Sequence, residues 1–172
     1  MFAVPLKSHL EPAVSAAGNK KRVLFVCTGN ICRSPTAEGI ARFWARKMGL
    51  DGLVEFDSAG THGYHVGEAP DLRAQRAAAA RGYDLAPLRA RQVTRKDFAD
   101  FDYVLAMDEG HLRQLQRMCP PEFRDKVTLF LSHAERFAPG DVPDPYYGGD
   151  KGFEEVLDMC EDAVHGLLDK LR

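Results

Sequence analysis

Two rhythms of apolar and polar residues run along this chain, one short and extended, one helical. Val23–Val26 is an unbroken apolar run of β-formers ending at Cys27, as a parallel strand buried on both faces would read. Similar segments predict strands at Val23–Cys27, Val54–Ala59, Tyr103–Met107 and Val127–Leu131. Between them, apolar residues recur at helical spacing and predict helices at Pro35–Met48, Asp71–Arg81, Glu109–Met118 and Gly152–Leu171. The last carries Phe153, Val156, Leu157, Cys160, Val164, Leu167, Leu168 and Leu171 on one face, which assigns Cys160 to the core. Strands that alternate with helices predict an α/β fold: an open four-stranded parallel sheet flanked by helices on both faces. Residues 1–20 lack either rhythm. Their one apolar run, Met1–Leu6, is interrupted by Pro5 and too short for a signal sequence, so a mobile arm is expected there, with one domain over 21–172. No stretch approaches a transmembrane span.

The join between the first strand and the first helix is where chemistry concentrates. Gly29 and Asn30 break the strand, and Ser34 and Pro35 supply an N-cap and an N1 proline for the helix. A strand, a glycine-containing loop and a helix N-terminus together make an anion site, here a phosphate-binding loop after the first strand. The amides of Thr28, Gly29, Asn30, Ile31, Cys32 and Arg33 can curl inward as a nest of donors, reinforced by the helix dipole. Cys27 would face that nest beside Arg33, which favours its thiolate and makes it a nucleophile. Arg33 offers a planar fork for two phosphoryl oxygens. Asn30 tolerates a left-handed backbone and can brace the loop from inside, and Ser34 can donate to the thiolate. A P-loop NTPase is excluded by the missing G-K-[ST] ending, and zinc by the lack of a second Cys or His pair at a ligand spacing. No metal and no cofactor is expected.

Composition narrows the class. The 172 residues are 45% hydrophobic and 28% charged, with net charge −2, and a pI near 6.3. That balance argues against nucleic-acid and anionic-membrane partners, which need a basic face. Four Cys in a chain of this size do not make a disulfide framework, and a catalytic thiol fits a reducing compartment, so the cytoplasm is expected.

The sequence C-T-G-N-I-C-R-S-P at Cys27–Pro35 resembles the phosphate-binding loop of the low-molecular-weight protein-tyrosine-phosphatase family. D-S-A-G at Asp57–Gly60, A-R-Q-V at Ala90–Val93, D-F-A-D-F-D-Y-V-L-A-M-D at Asp97–Asp108 and D-P-Y-Y-G at Asp144–Gly148 follow in the family's order, so the resemblance covers about Lys21 to Arg172. It implies hydrolysis of phosphotyrosine through a phosphocysteine on Cys27, with Arg33 binding the phosphoryl group. Asp144, from the D-P motif, would be general acid and then base. Tyr64, Tyr146 and Tyr147 match the family's aromatic wall, and Ile31 stands where a phosphoarginine-specific branch typically carries Thr. Cys32 would be a resolving thiol for oxidised Cys27. The resemblance also implies phosphotyrosine-containing partners, a tyrosine kinase among them, and a monomer or weak dimer.

One departure stands out. Many members carry a Ser or Thr and a His before A-R-Q, where the His helps to brace the loop asparagine. This chain has Ala86, Pro87, Leu88 and Arg89, so the network around Asn30, with Ser58 in it, is expected to be altered. Two other functions stay open at this point. A thiol-relay arsenate reductase shares the fold and loop but uses an extra Cys pair, absent from Leu105–Leu115. A non-catalytic phosphate-binding module would keep Arg33 and the nest and need neither Cys27 nor Asp144.

Overall fold

The computed structural model describes residues 20–172; of the arm expected over 1–20, residues 1–19 lie outside that range. Strand β1 (Lys21–Cys27) is followed by α1 (Arg33–Lys47), β2 (Val54–Gly60), α2 (Leu72–Ala80), α3 (Arg95–Asp100), β3 (Tyr103–Ala106), α4 (Glu109–Met118), β4 (Val127–Leu129) and α5 (Asp150–Leu171). All four strands are parallel, in the order β2-β1-β3-β4. The chain therefore leaves β1 in both directions across the sheet, and a crevice opens beyond the carboxyl end of β1 where ligands of open α/β sheets bind.

The unbroken apolar run of β1 follows from burial on both faces. Successive strand side chains point to opposite faces. Val23, Phe25 and Cys27 join a core built with α1, α2 and α5. Leu24 and Val26 join a second core under α3 and α4, with Phe98 and Leu115. Phe25 meets Phe130 edge-on at 5.2 Å and stacks on Phe56 at 6.0 Å. Each fully buried Phe or Leu contributes roughly 1.5–3 kcal/mol, so the central strand is the rigid mount for whatever its C-terminal end carries. Cys160 is fully buried within α5, as its place on the apolar face required.

Several boundaries move. The fourth strand ends at Leu129, because Phe130–His133 turns into a 3-10 helix that tucks Phe130 and Leu131 into the core. Helix α3 has no predicted counterpart, although its capping box, Thr94 with Asp97 three residues on, was readable. Ser34 and Pro35 are not N-cap and N1: α1 begins at Arg33 with Cys32 at its N-cap position, and no side chain caps it. The tight loop delivers helical geometry two residues earlier than the Ser-Pro signature suggests, which frees the Ser34 hydroxyl for the loop interior.

Candidate active site

Three loops meet at the carboxyl rim. Thr61 N–H donates to the Cys27 carbonyl (2.8 Å), and His62 N–H to Thr28 (3.0 Å), tying the loop after β2 to the first loop. Val142 N–H donates to the Met107 carbonyl (2.8 Å), bringing the long segment before α5 to the end of β3. Gly60 is required at the junction: a Cβ there would lie 2.6 Å from the Thr28 carbonyl oxygen and 2.8 Å from that of His62. The cleft so formed, about 210 Å³, is lined by Cys27, Thr28, Gly29, Ile31, Cys32, Arg33, Tyr64, His65, Asp144, Tyr146 and Tyr147.

The floor is the loop Cys27–Ser34. Asn30 takes the left-handed conformation, φ 58°, the only non-glycine residue with positive φ among those described. No acceptor among the described residues takes the N–H groups of Gly29, Asn30, Ile31 or Cys32. Such a cluster of free amides at the start of a helix is an electropositive concavity.

Proton accounting fixes the sense of the bonds beneath it. Asn30 Oδ1 accepts from Arg91 N–H (3.0 Å), which orients the amide. Its Nδ2 then donates to Ser34 Oγ and to Ser58 Oγ, both at 2.8 Å. Each hydroxyl, accepting from the amide, keeps its own proton for a further partner. Ser34 Oγ lies 2.9 Å from Cys27 Sγ, where its proton is placed to be donated to the sulfur. Ser58 donates to Glu38 Oε1 at 2.6 Å. Glu38 is buried, which pushes its carboxyl up, opposed by Ser58 and by Arg42 at 2.8 Å. Nothing from Ala86–Leu88 enters this network, and Leu88 packs instead against the core. Asn30 is nonetheless fully bonded: Ser34, Ser58 and Arg91 fill its two donors and its acceptor.

Arg33 is 4% exposed. Its Nη1 is spent on Asp108 Oδ2 (2.8 Å) and on the Val142 carbonyl (3.0 Å). That leaves the Nε and Nη2 edge for a ligand in the cleft, with Asp144 Oδ2 3.7 Å from Nη2. Asp108, at the end of β3, also accepts from His111 N–H (2.9 Å). Burial works against its charge, but the His111 amide and Arg33 prevail and hold the carboxyl below its ordinary range.

His111, which falls within the predicted helix Glu109–Met118, is buried in α4 with Nε2 2.7 Å from Thr28 Oγ1. Burial, and then Arg33, push it down to about 4, so the ring is neutral. Its Nδ1 lies 3.1 Å from Asp108 Oδ1 but is poorly aligned for a hydrogen bond. The tautomer with the hydrogen on Nδ1 puts that hydrogen beside the carboxylate and lets Thr28 donate to Nε2. Burial, with nearby Asp71, pushes the Cys32 thiol up to about 12, so Cys32 remains protonated.

Tyr64, Tyr146 and Tyr147 form the mouth and are exposed. Tyr64 stacks on His62 at 5.0 Å, and Tyr146 meets Tyr147 edge-on at 5.0 Å. Every cleft residue expected from the sequence except Asn30, Ser34 and Ser58 lines the cavity, and those three brace it from below. Asp108, His111, Glu38 and Arg91 were missed. A larger groove of about 530 Å³ at the opposite end of the strands, near Arg22 and Arg42, offers no nucleophile.

The family profile described as "Low molecular weight phosphotyrosine protein phosphatase" matches residues 22–172. A "Low molecular weight protein-tyrosine-phosphatase" of Streptomyces coelicolor is 52% identical over 155 residues, 88% of this chain and 93% of that protein. The human "Low molecular weight phosphotyrosine protein phosphatase" is 39% identical over 156 residues, 87% of this chain and 95% of its own. Among solved structures, a protein tyrosine phosphatase from Entamoeba histolytica with Hepes in the active site superposes with TM-score 0.86 at 39% identity, covering 88% of this chain and 97% of that one.

Proposed function

This chain belongs to the low molecular weight phosphotyrosine protein phosphatase family, and from that premise we propose which of its residues perform the reaction. Cys27 thiolate attacks phosphorus of a phosphotyrosine bound by the loop amides and by the free edge of Arg33. As the P–O bond to the phenol breaks, Asp144 gives its proton to the leaving oxygen. Ser34 holds the thiolate before attack and stabilises it again when it leaves. In the second step Asp144, now a carboxylate, takes a proton from water as the water oxygen attacks phosphorus. The S–P bond breaks, and inorganic phosphate and the Cys27 thiolate result. Charge on the transferring group is balanced by Arg33 and the helix N-terminus, so no step calls for a metal.

The observation that carries this reading is the meeting in one cleft of Cys27 and Arg33, from the loop after β1, with Asp144, from the distant segment before α5. Tyr64, Tyr146 and Tyr147 at its mouth favour an aryl ester over the shorter alkyl phosphates. Phosphotyrosine proteins, a tyrosine kinase among them, are the substrates, and the protein works in the cytoplasm as a monomer or weak dimer. Four free cysteines suit that compartment. Among the described residues no helix is long and apolar enough to cross a membrane. Cys32 serves as resolving thiol. Peroxide converts Cys27 to the sulfenic acid, and Cys32 sulfur attacks it, releasing water and closing a disulfide.

The test is hydrolysis of an aryl phosphate in the presence of chelator by the wild-type protein, Cys27→Ser and Asp144→Ala. Wild-type turnover is expected to be unchanged by chelator and that of Cys27→Ser to be abolished; full activity of Cys27→Ser would overturn the mechanism.

A further inference from the structure

The segment that carries Asp144 has no regular structure of its own. Upstream it is pinned where Val142 donates to Met107 and accepts from Arg33. Downstream, the turn closed by Gly148 N–H on the Pro145 carbonyl (3.1 Å) is local and fixes nothing relative to the cleft. One side chain from another element supplies the missing anchor. Arg73, on α2, donates through Nη2 to the Tyr146 carbonyl at 3.0 Å. Its guanidinium also lies 5.5 Å from the centre of the Tyr146 ring and 4.8 Å from that of Phe153, at the start of α5.

The same residue whose carbonyl Arg73 holds reaches the acid through its own N–H. Tyr146 N–H donates to Asp144 Oδ1 at 3.0 Å. That leaves Oδ2 as the oxygen turned toward Arg33, at 3.7 Å. Arg73 is itself held in register with the phosphate loop. Its Nε and Nη2 form a fork on the two carboxylate oxygens of Asp71 (3.1 and 3.0 Å). Asp71 N–H in turn donates to the Ile31 carbonyl at 2.8 Å. Floor and acid are thus joined through two residues, Asp71 and Arg73, neither of which would touch the reacting atoms. A planar fork suits the task, because one guanidinium must face a carboxylate and a carbonyl at once.

We propose that Arg73 is a positioning residue for proton transfer, holding Tyr146 so that the Asp144 carboxyl stays above the phosphate loop. The inference rests on Asp144 being the general acid. Its signature is therefore a dependence on the leaving group. A phenol that needs no proton should leave as readily without Arg73, and a poor one should not.

The experiment measures kcat/KM, which reports the first phosphoryl transfer, for a dinitrophenyl phosphate and for phenyl phosphate. The proteins are the wild type, Arg73→Met, Arg73→Lys, Asp144→Ala and the double variant Arg73→Met/Asp144→Ala. Arg73→Met is expected to lose about tenfold or more on phenyl phosphate, a fraction of what general-acid catalysis supplies, and less than about threefold on the dinitrophenyl ester. Arg73→Lys, with one donor and the charge retained, should recover part of the loss. In the Asp144→Ala background Arg73→Met should add nothing further, because a residue acting through another is non-additive with it. Equal losses on both esters, or additive losses in the double variant, would overturn the proposal while leaving the acid role of Asp144 standing. An Asp144→Ala variant equally impaired on both esters would overturn that role and the proposal with it. Melting temperatures of the five proteins separate these outcomes from loss of fold, and if Arg73→Met is unstable the Arg73→Lys ratio alone decides.

Discussion

Replacing Asn30 tests whether the loop is braced as its hydrogen bonds indicate. The side chain makes three bonds, buried ones to Ser34 and Ser58 and a partly buried one with Arg91 N–H. At a net of about 1 kcal/mol each, they contribute roughly 3 kcal/mol. The backbone adds a second, separable contribution, since φ is 58°. Alanine in a left-handed conformation costs about 1–2 kcal/mol, a penalty that Asn largely escapes and Gly avoids. Asn30→Ala is then expected to lose roughly 4–5 kcal/mol, and Asn30→Gly about 3 kcal/mol, since only the bonds are gone. Urea unfolding at pH 7 measures both, as a midpoint shift at constant slope. The order is the sharper check, because at an ordinary position Gly would be the worse substitution. Activity should fall in both variants, since without Asn30 the Ser34 hydroxyl can turn away from Cys27. A loss below about 1 kcal/mol for Asn30→Ala, or Gly no better than Ala, would refute the account of a loop held from within.

Three further outcomes are expected. His111 and His133 are each pushed down to about 4, by burial and then by Arg33 and Lys170 respectively. In the unfolded chain they titrate near 6.5, so between those values the unfolded state binds more protons, and stability falls as pH drops from 6.5 toward 4. Each contributes up to about 3 kcal/mol, and His133→Gln should flatten the urea-midpoint profile over that window; an unchanged profile refutes the assignment. Wild-type protein inactivated by brief peroxide should recover with dithiothreitol, whereas Cys32→Ser should recover far less after prolonged exposure; equal recovery removes Cys32 from the redox role. Gly60→Ala should destabilise by more than about 2 kcal/mol, because backbone carbonyls rather than flexible side chains meet the new methyl; a neutral result in thermal unfolding would show that the junction yields.

Those variants fall on both sides of what could be read from the sequence. Local signals were legible: the apolar run of β1, the glycine break, the periodic face of α5 and the loop sequence Cys27–Ser34 needed no distant partner. Ser34 was misread as a cap because Ser-Pro is a common helix opening, and only the loop geometry reveals that Cys32 occupies that position; the hydroxyl lies instead 2.9 Å from Cys27 Sγ, the partner its place in the loop sequence had offered. Asp108, His111 and Arg91 were missed for a different reason. Each acts across a gap of sixty residues or more, Arg33 to Asp108, Thr28 to His111 and Asn30 to Arg91, and no local pattern encodes such a pairing.

The departure at Ala86–Arg89 leaves the brace of Asn30 intact. The missing histidine was expected to alter the network around Asn30. The amide has two hydrogens and one accepting oxygen in use, and Ser34, Ser58 and the Arg91 backbone fill them. The least firmly held member of this network lies one bond further out, at Glu38. That carboxylate is 2% exposed, and its cationic partner is Arg42, whose side chain is half in solvent. A buried acid neutralised from the surface is held less firmly than one paired inside, and burial already pushes it up. Protonating Glu38 removes the charge that Ser58 donates to, but not the two donors of Asn30 that turn Ser34 toward Cys27. Because burial raises the Glu38 carboxyl, the folded state binds this proton more tightly than the unfolded chain does, so stability should rise as pH falls through the titration of Glu38 and the buried charge should cost most above it, with hardly any effect on the geometry around the nucleophile.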